Sequence, residues 1–143
     1  MSRIIVGIDP SEHARRALRW ALAQARPLGS QVELVHAFQA PDTGALPGYP
    51  RAINEEDVKK VANHVLDDAL AEVGDEAEGI SIQRSVAVGS PASVLCQAAK
   101  EGDLLVIGAR GLGGFKGLMV GSVSQQVVAH APCPVVVVPP ARR

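Results

Sequence analysis

In Asp103-Leu-Leu-Val-Ile-Gly-Ala-Arg-Gly111, four apolar residues run together and stop at glycine. An unbroken apolar run of this length suits a strand covered on both faces, where no side is left for polar alternation. The same design recurs at Arg3-Ile-Ile-Val-Gly-Ile8 and at Pro134-Val-Val-Val-Val138. Gln31 to Phe38 and Ile80 to Val88 read as two further strands, the latter alternating at Ile80, Ile82, Val86 and Val88.

Helical segments separate these strands. Ser11 is placed to cap a helix in which Ala14, Ala17, Leu18, Ala21, Leu22 and Ala25 recur at i, i+3, i+4 spacing, with Pro27, Leu28 and Gly29 ending it. Asn54 opens a second helix, its Glu55, Glu56 and Asp57 suited to the positive end of the dipole. Its expected stripe is Val58, Val61, Ala62, Val65, Leu66, Ala69 and Val73, with Gly74 as the stop. Ser90-Pro91 supplies a cap and a proline at the first helical position, ahead of Ala92, Leu95, Ala98 and Ala99. A fourth helix runs to about Ala131. The order β-α-β-α-β-α-β-α-β predicts an α/β protein, a parallel sheet with helices on both faces.

The 143 residues suit one domain spanning 1–143, with 47% hydrophobic and 20% charged residues, ordinary for a soluble globular chain. A net charge of −1 argues against nucleic acid or an anionic membrane as partner. With Trp20, Phe38, Tyr49 and Phe115 as the whole aromatic complement, a base-stacking platform is not expected. Cys96 and Cys133 stand apart in apolar company and read as small buried hydrophobes. The chain enters a strand at once and has no long apolar span, which suits a cytoplasmic location. Gln39 to Ile53, punctuated by Pro41, Gly44, Pro47, Gly48 and Pro50, reads either as a lid or as a disordered segment.

In a sheet of this kind ligands gather beyond the carboxyl ends of the strands. That edge collects Asp9, the end of strand two at His36 to Phe38, Gly89, and the segment from Gly108. After Gly108-Ala-Arg-Gly111 come nine residues and then Gly121-Ser122. Glycines let main-chain N–H groups approach an anion, and a helix N-terminus adds about half a positive charge. The dinucleotide fingerprint G-x-G-x-x-G is absent, since Lys116 stands where its last glycine belongs after Gly111 and Gly113; a Walker A loop is absent as well.

The spacing G-x-x-G, nine residues, G-S resembles the nucleotide-binding signature of the universal stress protein family. Val6-Gly-Ile-Asp9-Pro-Ser, Gly89-Ser-Pro-Ala, Gly121-Ser-Val-Ser-Gln-Gln-Val and Pro132-Cys-Pro-Val resemble it too, so the likeness spans nearly the whole chain. It implies a five-stranded sheet of order 3-2-1-4-5, of the adenine nucleotide alpha hydrolase-like kind. It also implies bound ATP, with Mg2+ as the accompanying ion. Asp9 would then accept from the ribose or adenine, and the Ala37 main chain would meet the adenine edge. Gly108, Arg110 and Gly111 would lie along ribose and phosphates, and Gly121, Ser122, Val123 and Ser124 would donate to the phosphates. Ala109 departs from the pattern, where relatives commonly carry Ser or Thr.

Plainer readings stand beside these. Asp9 also suits a turn or cap, Gly108 and Gly111 a strand-end turn, and Arg110 and Lys116 solvated loop cations. His36 reads as a hydrogen-bonded strand histidine, His13, His64 and His130 as surface residues, and Trp20 as partly buried.

A regulatory nucleotide-binding module of the stress response is the first functional reading, because phosphoryl transfer needs metal ligands and a placed nucleophile besides a cradle. The alternatives are a slow ATPase and a nucleotide-free dimeric stress factor. The family likeness further implies a homodimer through strand 134–138, whose apolar edge invites pairing, and leaves room for a regulatory protein partner.

Overall fold

The structure is a computed structural model that describes residues 3–38, 55–110 and 121–141. Five parallel strands, β1 (Ile4–Gly7), β2 (Val32–Phe38), β3 (Ile82–Val88), β4 (Leu104–Gly108) and β5 (Val135–Val138), form one sheet in the order β3-β2-β1-β4-β5. Helices α1 (Glu12–Leu28), α2 (Glu55–Val73), α3 (Pro91–Ala98) and α4 (Ser122–His130) alternate with them. The expected α/β architecture and strand order are the ones found. The Gln39–Ile53 segment, Gly111 and Lys116 lie outside the described residues.

The sheet is covered on both sides, which is why its strands read as apolar runs. On one face Ile4, Val6 and Val106 pack with Leu18, Leu22 and Ala21 of α1 and Leu66 and Ala69 of α2. On the other, Ile5, Leu105 and Ile107 pack with Leu95 of α3 and Val127 of α4. Successive strand residues thus serve opposite layers. Trp20 is partly buried against the first layer. Cys96 and Cys133, read as small buried hydrophobes, are free and half-buried against the second layer, where burial pushes both thiol pKa values up.

Helix ends largely follow the sequence signals. The Ser11 hydroxyl accepts the Ala14 N–H at 3.2 Å, and Ser90 caps α3 ahead of Pro91. α1 nevertheless carries on through Pro27 and Leu28, which were expected to help end it. A proline in the last turn forfeits one hydrogen bond, whereas Gly29, at φ 63°, makes the left-handed close that stops the helix. In α2 the buried face is Ala62, Leu66, Ala69 and Val73, while Val61 is 66% exposed. Val61 sits about 100° around the helix from Ala62, so the apolar stripe is narrower than expected. β3 begins at Ile82, two residues late, and as an edge strand it leaves Val88 54% exposed.

At the amino end of the sheet, Arg3 is the hub of a polar clamp. Its guanidinium meets Glu33 at 2.8 Å, Asp103 at 2.8 and 3.4 Å, and the Ala98 carbonyl at 3.2 Å. Asp103 also accepts the Lys100 N–H at 2.8 Å. Burial pushes the Asp103 carboxyl pKa upward, but the hydrogen bonds and charge of Arg3 outweigh it and hold the group below the usual carboxylate range. The hydrogen bond to Asp103 in turn raises the Arg3 pKa. One side chain thereby ties β1, β2, β4 and the end of α3 together.

Candidate functional site

The order β3-β2-β1-β4-β5 reverses direction between β1 and β4, so the carboxyl ends of those two strands flank the crevice where doubly wound sheets take ligands. Asp9, Ala37, Gly108, Arg110, Gly121, Ser122, Val123 and Ser124 all sit on elements that end or begin at this edge. Gly111 lies outside the described residues.

Asp9 follows β1 directly. Its Oδ1 accepts the Ser11 N–H at 2.8 Å and the Ser11 hydroxyl, which itself caps α1. The turn-residue reading of Asp9 therefore holds for one carboxylate oxygen. The Asp9 carbonyl accepts from Arg15 Nη1 at 3.1 Å, and Arg15 Nε reaches Glu72 of α2 at 2.5 Å. Arg15 was not singled out from sequence; its i+6 spacing from Asp9 carries no signal until the helix is oriented.

The β1–β2 ladder stops at Gly7 opposite Val35, with one further bond from the Ile8 N–H to the Val35 carbonyl at 2.8 Å. Odd-numbered residues of β2 thus direct their main-chain groups toward β1, and even-numbered ones toward β3, as the 2.9 Å bond from Gly89 N–H to the Phe38 carbonyl shows. Ala37 belongs to the first set but lies beyond the last rung. The next acceptor, the Ile8 carbonyl, is met instead by His36 Nδ1 at 2.7 Å. His36 is thus half-buried and hydrogen-bonded, as expected of a strand histidine.

Gly108 has a packing reason as well as its place in the motif. A Cβ there would stand 2.7 Å from the His13 carbonyl oxygen and 2.9 Å from the His13 Cβ. Only glycine lets the end of β4 lie this close to the first turn of α1. His13, expected at the surface, is half-buried by the same contact, and its Nδ1 is enclosed. His64 and His130 are exposed as expected. Arg110 is half-buried, with its Nε enclosed, so it is no fully solvated loop cation.

α4 is fastened to the end of β4. The Gly121 N–H donates to the Ala109 carbonyl at 2.7 Å, and the Ser124 hydroxyl donates to the Gly108 carbonyl at 2.9 Å. Ser124 is 3% exposed, so its hydroxyl serves this internal tie. Gly121 is the N-cap and gives α4 no side-chain cap. The first intrahelical bond runs from Gln125 N–H to the Gly121 carbonyl at 3.0 Å. The N–H groups of Ser122, Val123 and Ser124 are accordingly the opening-turn donors that a helix cannot satisfy from within. Together they form an anion-favouring end, held in place beside Arg110.

A family model described as the universal stress protein family matches residues 1–139. A Thermus aquaticus universal stress protein, named for the QAH/OAS sulfhydrylase 3′ region, is 38% identical over 138 residues, covering 94% of this chain and 96% of that protein. A Mycobacterium tuberculosis universal stress protein is 32% identical over 134 residues; this chain spans only 44% of its length. Among solved structures, the Archaeoglobus fulgidus universal stress protein superposes with a TM-score of 0.65 at 28% identity, over 96% of this chain and 98% of that one. An Archaeoglobus fulgidus universal stress protein in complex with dAMP gives 0.63 at 26%, over 96% and 97%. With a match along nearly its whole length and a sheet of the same order, the chain belongs to the universal stress protein family.

Proposed function

We propose that this chain is an ATP-binding regulatory module of the stress response, working as a homodimer in the cytoplasm. The observation that carries the reading is the fastened start of α4: three opening-turn N–H groups held against the end of β4 by the Gly121–Ala109 and Ser124–Gly108 bonds. The dAMP complex of the Archaeoglobus fulgidus relative supports an adenine nucleotide as the ligand class.

In this reading the phosphates lie on the N–H groups of Ser122, Val123 and Ser124, with Gly121 giving close access and Arg110 and Gly111 alongside. Asp9 offers the ribose its Oδ2, the oxygen not committed to Ser11. The Ala37 N–H and carbonyl meet the adenine edge in the gap beyond β1. A Mg2+ ion held by the triphosphate would supply charge neutralisation of the phosphates. Among the described residues no group of three or more His, Cys, Asp or Glu is gathered to hold a metal by itself. Asp9 is the carboxylate the site offers such an ion.

β5 supports the homodimer reading. Its even-numbered residues pair with β4, through the Pro134 and Val138 carbonyls, so Val135 and Val137 turn their main-chain groups outward along the free edge. Two copies paired there cover each other's edge, and Val137→Pro, which deletes one outward donor, yields monomer by light scattering. A regulatory protein partner would read the nucleotide state of such a dimer.

The test is to denature the purified protein and identify the nucleotide released, then to titrate the stripped protein with ATP, ADP, AMP and cyclic AMP by calorimetry. Bound or tightly binding ATP is the expected result. No adenine compound released and none bound overturns the reading. Turnover of ATP in the same samples, abolished by Asp9→Ala, would assign the slow ATPase instead.

A further inference from the structure

Two side-chain nitrogens among the described residues are enclosed by protein and hydrogen-bonded to nothing: His13 Nδ1 and Arg110 Nε. Buried polar atoms are paired almost without exception, so an orphan needs a physical account. These two belong to the same corner of the molecule. His13 lies in the first turn of α1 with its carbonyl and Cβ against Gly108, and Arg110 follows Gly108 by two residues with its Cα beside Gly121.

The chemistry of the corner narrows what would satisfy them. Arg110 Nε is a donor and never an acceptor, and His13 Nδ1 donates whenever it carries the ring proton. The opening turns of both α1 and α4 also face this edge, each adding positive partial charge. Asp9, the nearby carboxylate after β1, already spends Oδ1 on Ser11. Neither nitrogen meets an acceptor within the protein. The complementary group is acceptor-only, with several lone pairs, and a phosphoryl group has that character.

We propose that His13 is a ligand-contacting residue which, with Arg110, takes a phosphoryl group of the bound nucleotide. The assignment rests on the nucleotide-binding reading above. It makes His13 part of what separates phosphorylated from unphosphorylated ligands. Adenosine fills the Asp9 and Ala37 positions but leaves both nitrogens unmet.

The experiment is calorimetric titration of the unaltered chain, His13→Ala and Arg110→Gln with ATP, AMP and adenosine, each variant first checked for an unchanged circular dichroism spectrum. Each substitution is expected to weaken ATP and AMP about tenfold, the loss of one charge-assisted hydrogen bond, while adenosine stays within about twofold. Should His13→Ala disturb folding, the unaltered chain serves: AMP, and not adenosine, shifts the His13 Nδ1 resonance in a nitrogen-15 spectrum. ATP bound equally by His13→Ala and the unaltered chain overturns the proposal, as does an equal loss for adenosine. A chain that binds none of the three overturns the nucleotide reading itself, a result distinct from either.

Discussion

The two ends of this sheet handle polar groups in opposite ways. At the amino end every charged group of the Arg3 clamp is matched: Glu33 and Asp103 take the guanidinium, and the Lys100 N–H and Ala98 carbonyl fill in around it. At the carboxyl end several polar groups are held in position and left wanting. Asp9 is fixed through one oxygen, α4 is fastened by Gly121 and Ser124 while its opening turn stays undonated, and His13 and Arg110 keep enclosed nitrogens without partners. A matched set converts its hydrogen bonds into stability; a positioned and unmatched set leaves them open, at some cost to the fold, and under the proposed function a ligand would complete them. One end of the sheet should therefore respond to mutation in melting, the other in binding.

The largest effect expected is at the matched end. Asp103→Ala leaves Arg3 half-enclosed with one fewer counter-charge and should lower the unfolding free energy by about 3 kcal/mol, discounted for the 28% exposure of the arginine. Nucleotide affinity measured below the melting transition should not change; a loss of affinity there would break the division of labour. Gly108→Ala comes next, because it touches both properties. Its Cβ meets main-chain atoms of His13 that have no soft way to yield, so about 2 kcal/mol of stability is expected to go by denaturant titration, and ATP affinity with it.

Asp9→Asn sharpens the contrast from the other side. The amide oxygen still accepts from Ser11, so the melting temperature should hold within about 2 °C. The lost acceptor at Oδ2 should weaken ATP about tenfold by calorimetry. Unaltered affinity would confine Asp9 to its turn. The smallest effect is in acid. The Asp103 carboxyl titrates below its ordinary value in the folded chain. Its contribution is therefore complete above the unfolded value of 3.8 and fades as pH falls through the folded one. Urea midpoints of the natural chain should fall over that window, and those of Asp103→Asn less so.

How much of this was legible in the sequence differs between the ends as well. Strands covered on both faces announce themselves as apolar runs, and caps such as Ser11 and Ser90-Pro91 are local signals, so element order came through intact. Gly29 ended α1 where Pro27 did not, because a positive φ is a stronger stop than one missing donor in a final turn. The clamp was not legible: Arg3 and Asp103 stand a hundred positions apart, and nothing in a one-dimensional pattern pairs them. His13 failed for the same reason, since its burial depends on Gly108 arriving from a distant strand. The glycine-serine spacing drew attention to the end of β4 and the start of α4, yet it gave no hint that the Ser124 hydroxyl would be used up inside the protein.

One detail at that edge carries further. Because the His36 ring claims the Ile8 carbonyl, the β1–β2 ladder is cut a rung short of Ala37. Recognition by peptide groups has no signature in side-chain identity. Under the proposed adenine contact, a change of side chain at residue 37 would leave the contacting main-chain atoms in place, and alanine scanning would pass over the position in silence. Proline, which alone erases the N–H, is the substitution that would expose what the position does.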